Sequence, residues 1–322
     1  MRKITTLVLL LFWAGVCCAN DTMMVLGAGG LVPLKTTTVV MESEDLEISP
    51  AGIRVHYVFR NSSAKDVTAT VGFPLPLLKG MDLSVSPITL PDKDSDNFVD
   101  FAVTADGKPV ATKLELRALG GHGDETAELK KYGLSASLLT GTDAIAKLTA
   151  AQKAALVKEG LLQGTDYPEP GAPEWNTQAT YYWTQVFPAK STVDVVHTYK
   201  PVVGGSYMPK SQNGDPSMKK FCGTDAIAKA IAAQQASFAG GPDDIAVYQR
   251  EVQYVLKTAN NWSGPIRKFH LTVRLDSADE VMSMCFVGLK QTSPTTFEAT
   301  RTEFSPVKDL DVMIWQKATP AH

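Results

Sequence analysis

Apolar and polar positions alternate over most of this chain, and a period of two is the pattern of half-buried β-strands. Ile53, Val55, Tyr57 and Phe59 fall on one face, and Arg54, His56 and Arg60 on the other; Val39 and Met41 precede them, followed by an acidic stretch that reads as a turn. Asn61-Ser62-Ser63 turns the chain, and residues 67–73 alternate again. Pro74-Leu75-Pro76 then stops the strand, because proline cannot donate to a ladder. Residues 98–104 and 109–116 predict two strands joined across Asp106-Gly107, a pair that favours tight hairpin turns. Further strands are predicted over 180–187, 192–199, 247–256, 268–275, 281–289, 296–304 and 311–315. In the strand 268–275, Phe269, Leu271, Val273 and Leu275 mark an inward face, and His270, Thr272 and Arg274 point the other way.

The period changes twice. Asp124 caps a short helix that Gly133 ends, and Thr149 with Gln152 forms a capping-box pattern opening a helix that Gly160 terminates. An alanine-rich helix is predicted over 225–237, bounded by Gly240-Gly241, while 165–177 and 202–217 read as Gly- and Pro-rich connections. Gly-Thr-Asp-Ala-Ile-Ala-Lys occurs at both 141–147 and 223–229. Helix-start chemistry, a Thr-Asp cap before a good first turn, accounts for both copies without a duplication. The fold class that follows is mainly β with helical insertions, built of β-sandwich-like antiparallel sheets. Its expected divisions are a signal peptide over 1–19, an N-terminal β-sandwich part over 20–117, a helical insertion and loop over 118–177, and a second β part over 178–322. The pattern is equally compatible with a single composite domain over 20–322, and it does not distinguish one sandwich from two.

The first residues change the picture of location. Arg2 and Lys3 give a positive start, residues 7–16 are apolar or small, and Ala19 offers a small residue before the polar Asn20-Asp21. This is the pattern of a Sec-type signal peptide cleaved after Ala19, which makes the mature protein periplasmic or secreted, with no integral membrane segment. Cys17 and Cys18 raise lipid attachment as an alternative, but Ala14-Gly15-Val16 lacks the large aliphatic residue three places upstream of the cysteine. Loss of Arg2 and Lys3 lowers 31 bases to 29 against 34 acids, a net charge of −5. Without basic blocks, such a surface argues against nucleic acid as a partner. Cys222 and Cys285 are the two cysteines left after cleavage, and an oxidising compartment predicts a disulfide between them, with a stabilisation of about 4 kcal/mol in chain-entropy models.

No catalytic constellation withstands a test of context. Gly27-Ala28-Gly29-Gly30 lacks the Lys-Ser/Thr sequel of a phosphate cradle and reads as a flexible or tight-turning segment. Of the three strand histidines, His56 and His270 fall on polar faces and His197 points inward as a hydrogen-bonded core residue, so convergence on a metal is not expected. The acid pairs Glu42 with Glu44 and Asp243 with Asp244 read as solvated turns, and no Gly-x-Ser-x-Gly elbow occurs. No catalytic, cofactor-binding or metal-ligating residue is therefore assigned, and no cofactor. Trp183, Trp262 and Tyr182 are the large side chains that could form a binding surface, with core packing as the competing role.

Several strings, among them Leu26-Gly27-Ala28-Gly29-Gly30-Leu31, Met41-Glu42-Ser43-Glu44-Asp45-Leu46, Tyr57-Val58-Phe59-Arg60-Asn61 and Phe73-Pro74-Leu75-Pro76, resemble a bacterial family. Tyr182-Trp183-Thr184-Gln185-Val186-Phe187-Pro188-Ala189, His197-Thr198-Tyr199-Lys200-Pro201, Phe221-Cys222 and Thr258-Ala259-Asn260-Asn261-Trp262 extend the likeness over nearly the whole mature chain. The family is the one catalogued as domain of unknown function 4424; the resemblance implies export and carries no biochemical role. Export, sandwich patterning and the lack of a catalytic motif point to a non-enzymatic binding or accessory protein of the cell envelope, whose partner is an envelope protein or ligand. A hydrolase acting on envelope polymers and a structural component pairing through an exposed sheet edge are the alternatives.

Overall fold

A computed structural model of the protein describes residues 20–27, 30–79, 92, 97–138, 142–167 and 170–319. The predicted leader with Cys17, Cys18 and Ala19 lies outside the described residues, as do Ala28-Gly29 of the glycine-rich stretch and Gly141 of the first repeat.

The alternating segments form three sheets. The largest orders its strands Lys290–Ser293, Thr296–Phe304, Ile266–Arg274, Val39–Ile48, Ile53–Asn61, Thr192–Tyr199, Ala102–Ala105 and Lys108–Val110. Its Ile266–Arg274 and Val39–Ile48 strands run parallel. A six-stranded sheet orders Gly30–Leu34, Thr22–Gly27, Val67–Pro74, Asn176–Phe187, Lys113–Gly120 and Gly123–Asp124. Inward rings of these two sheets meet directly: Phe59 lies 5.8 Å from Phe187 and Trp183 5.2 Å from His197, centroid to centroid. The molecule is thus mainly β and sandwich-like, as its alternation predicts.

The third sheet orders Val203–Pro209, Ile245–Tyr254, Leu310–Lys317 and Val281–Met284. Its two faces do different work, because side chains alternate across a strand. Val252, Tyr254, Val312 and Ile314 join the sandwich core. On the opposite face, Val247, Met313 and Trp315 pack with Ile231 and Phe238, the first on the helix Asp225–Ala236 and the second just beyond it. The helix covers only one end of this face. Where it stops, the same strand parity carries Gln249, Glu251 and Gln253 instead of apolar residues.

A third apolar cluster stands apart under the helical insertion, where Leu129, Leu156 and Trp175 are fully buried. Its capping box forms as the spacing predicts: Thr149 Oγ1 accepts from Gln152 N, and the Gln152 side chain accepts from Thr149 N. Gly133 and Gly160 end their helices at φ of 69° and 73°, a conformation that costs glycine little.

Two sequence expectations are corrected. The stretch 202–217, read as a connection, contains the edge strand Val203–Pro209; Gly204 and Gly205 hid it, since glycine weakens the strand signal without preventing pairing to a neighbour. The acidic stretch after Met41 is not a turn but the middle of the strand Val39–Ile48. A register shift between Met41 and Ser43 reverses its parity, so that Val39 and Met41 face the core on one side of the bulge and Glu44, Leu46 and Ile48 on the other.

Candidate functional site

The uncovered part of the third sheet forms the floor of a groove of about 330 Å³. Glu251 and Gln253 from the central strand and Gly204, Gly205 and Ser206 from the edge strand supply one wall. The opposite side is built by residues 75–79, which follow the Pro74 strand stop, and by the segment Tyr199 to Val202, where Pro201 ends the ladder. Leu75, Leu78, Val99, Val202, Phe221 and Met313 make the apolar lining. Ser217, Lys220 and Phe221 close one end.

Polar groups line the rest of this groove in an ordered set. Lys220 Nζ pairs with Glu251 Oε1 at 2.7 Å and lies 4.6 Å from the centre of the Phe221 ring. Gln253 Nε2 donates to Glu251 Oε1 at 2.9 Å, Gln249 Nε2 to Asp215 Oδ2 at 2.6 Å, and Ser206 Oγ to Gln249 Oε1. Two hydroxyls are different: Tyr199 Oη and Ser217 Oγ are buried and make no hydrogen bond to the described residues. Burial pushes the Tyr199 hydroxyl above its ordinary range, so it stays a protonated donor at neutral pH. An apolar concavity with a few inward hydrogen-bonding groups is the usual make-up of a small-molecule site, and unpaired buried hydroxyls are the groups that gain most from a ligand.

Among known proteins, a family model described as a domain of unknown function, DUF4424, matches residues 19–313. The chain belongs to the domain of unknown function 4424 family. No curated protein matches this family member. Among solved structures it is similar to a Legionella pneumophila protein described as a candidate for nutrient binding, at 16% identity and a TM-score of 0.44, covering 88% of this chain and 68% of that one. It is also similar to an M1 zinc metallopeptidase from Deinococcus radiodurans, at 9% identity and a TM-score of 0.26, covering 88% of this chain and 43% of the peptidase. Neither likeness carries an argument about function.

The groove of this family member is not where the sequence placed a binding surface. Trp183 and Trp262 are 3% and 1% exposed, so neither indole reaches solvent. Trp262 lies tilted against Phe59, 4.4 Å between ring centres, and donates from Nε1 to the Asp21 carbonyl, and Trp183 sits edge-on to His197. Tyr182 is half-buried on the other face of its strand. The physical reason is core volume: two wide sheets need large rings between them, and these indoles fill it. Cys222 and Cys285 lie at disulfide distance, with Sγ atoms 2.00 Å apart, directly after the Lys220-Phe221 wall of the groove. Among the described residues no cluster of three His, Cys, Asp or Glu side chains is arranged to hold a metal. His56 and His270 pair separately with Asp194 at 2.8 Å and Asp45 at 3.0 Å.

His197 points inward as its parity predicts, but without the hydrogen bonds expected of it. It is fully buried among Tyr57, Phe73, Phe101 and Trp183, with Nε2 3.4 Å from Asp21 Oδ2, and neither ring nitrogen has a hydrogen bond to the described residues. Burial lowers its pKa to about 3, which leaves the imidazole neutral and acting as one more core ring. Tyr199 and Ser217 were not singled out from the sequence. The alternating Gln249, Glu251, Gln253 run opposite Val252 and Tyr254 is the signal that could have found this face.

Proposed function

We propose that the protein is an exported, non-enzymatic binding protein of the cell envelope whose groove holds a small amphipathic molecule, an apolar body with a hydrogen-bonding head. The observation that carries this reading is the pair of buried hydroxyls, Tyr199 and Ser217, left without partners among the described residues in a groove whose other polar groups are paired with one another. Burial pushes the Tyr199 hydroxyl up, which suits it to donating a hydrogen bond to a ligand rather than to moving a proton. Export is supported by the leader pattern and by the cysteine pair at disulfide distance.

The test is thermal shift of residues 20–322 against medium-chain carboxylic acids, apolar amino acids and their dipeptides. A hit is expected to weaken by about fivefold in Tyr199→Phe and in Ser217→Ala, since each removes roughly 1 kcal/mol of hydrogen bonding while keeping the shape. Binding that ignores both substitutions would place the ligand elsewhere.

A further inference from the structure

We infer that the chain is processed between Ala19 and Asn20, and that the α-ammonium group this creates on Asn20 is the buried counter-ion of Glu44 and Asp21. The inference rests on the proposed export and is independent of what the groove binds.

Asn20 and Asp21 are fully buried and Glu44 is 1% exposed, an unusual setting for two carboxylates. The surroundings are built for it. Asn20 Nδ2 donates to Glu44 Oε2 at 3.0 Å, the Tyr57 hydroxyl donates to Asn20 Oδ1, and the Tyr254 hydroxyl donates to Glu44 Oε1 at 3.3 Å. Thr258 Oγ1 donates to the Asn20 carbonyl at 2.9 Å, and Trp262 Nε1 to that of Asp21 at 2.5 Å. Asn20 is therefore held by three elements at once, the strands carrying Glu44 and Tyr57 and the short 3₁₀ turn Lys257–Asn261, while Tyr254 holds Glu44 in place.

The charges do not balance. Two carboxylates share this site, and the described residues facing it offer no cation: Tyr57 and Tyr254 are phenols, and His197, 3.4 Å from Asp21 Oδ2, is neutral. Neither oxygen of Asp21 has a hydrogen-bond partner. A buried carboxylate without a counter-charge is disfavoured in its ionised form: burial pushes Glu44 up to about 8, and burial together with the Glu44 charge pushes Asp21 above its ordinary range. The absent element is a positive group.

Hydrolysis of the Ala19–Asn20 bond supplies one. Water adds across the C–N bond, the hydroxyl going to the Ala19 carbonyl and a hydrogen to the Asn20 nitrogen; at neutral pH the new acid loses its proton and the new amine gains one. Covalent geometry holds that nitrogen about 1.5 Å from the Asn20 Cα, in the same buried setting as the side chain that reaches Glu44. An opposite charge within roughly 4–6 Å favours the ionised carboxylate and offsets its desolvation. The small Ala19 before the cut is the residue type an envelope leader peptidase accepts. A cut elsewhere would leave residues that carry the charge away from the site.

Two measurements decide this. Intact mass of the protein exported from a bacterial host carrying the full chain is expected to place the start at Asn20. Melting is then followed from pH 4.5 to 8.5 for residues 20–322 and 19–322, each released from a fusion by a protease that leaves no extra residue. A carboxyl with a raised pKa stabilises the fold in its protonated form, so 19–322 should lose stability as pH rises from about 4.5 to about 8. Residues 20–322 should hold theirs across that window and melt at least ~2 °C higher at pH 7.5. Glu44→Gln should remove the difference; should that variant not fold, the two native-sequence profiles still decide. Identical profiles overturn the inference, as does export with a start other than Asn20, which leaves export itself standing. Recovery of the uncleaved chain overturns both.

Discussion

At the scale of single residues, Glu44 and His197 bias the pH dependence of stability in opposite directions. Glu44 was legible as an acid but not as a buried one, because a period-two reading from Met41 sends position 44 to solvent and only the bulge reverses it. His197 was legible as inward, from its parity with Val193, Val195 and Tyr199, while its want of partners depends on which neighbours the far sheet supplies. With its folded pKa lowered to about 3 from an ordinary 6.5, the neutral ring contributes stability that is complete above 6.5 and lost as pH falls through that window. His197→Phe keeps a ring of similar size, so its cost at neutral pH should be below about 1.5 kcal/mol, and its acid-unfolding midpoint by circular dichroism should move to lower pH. An unmoved midpoint would show that His197 is not the group whose protonation opens the core.

At the scale of elements, local rules explain what could be read and contacts explain what could not. The helix opened by Thr149 and Gln152, the hairpin at Asp106-Gly107 and the strand stop at Pro74 follow from backbone chemistry within a few residues, and each stands where its residues put it. The edge strand Val203–Pro209 does not, because Gly204 and Gly205 carry no propensity and its pairing is dictated by Ile245–Tyr254. The helix Asp225–Ala236 was legible, but not that it covers half a sheet face and so creates the groove. The cysteine pair ties the strand Val281–Met284 region to the groove wall at Lys220-Phe221, across a sequence separation of 63 residues. Cys285→Ser should lower stability by up to ~4 kcal/mol in a denaturant melt and loosen that wall, weakening a groove ligand more than the groove-remote Thr149→Ala does. Equal affinity in both variants would detach the cysteine pair from binding.

At the scale of the molecule, the fold separates the packed core from the proposed binding groove. The sandwich core takes the aromatic volume, including both tryptophans that seemed available for recognition, and a separate cluster anchors the helical insertion. What remains for binding is the place where three elements stop short of one another: the helix ends, Pro201 breaks one strand and Pro74 another. That place could not be read from any one segment, since its lining comes from positions between 75 and 313. The proposed ligand site therefore stands or falls on occupancy of this groove. Native mass spectrometry of the exported protein, purified without denaturation, should show a small-molecule adduct on the wild type that is absent from Gly204→Trp, in which an indole enters the groove beside Glu251 from the edge strand. An adduct retained at full strength in a folded Gly204→Trp would contradict the account, and so would the lack of any adduct or thermal shift with the full ligand panel.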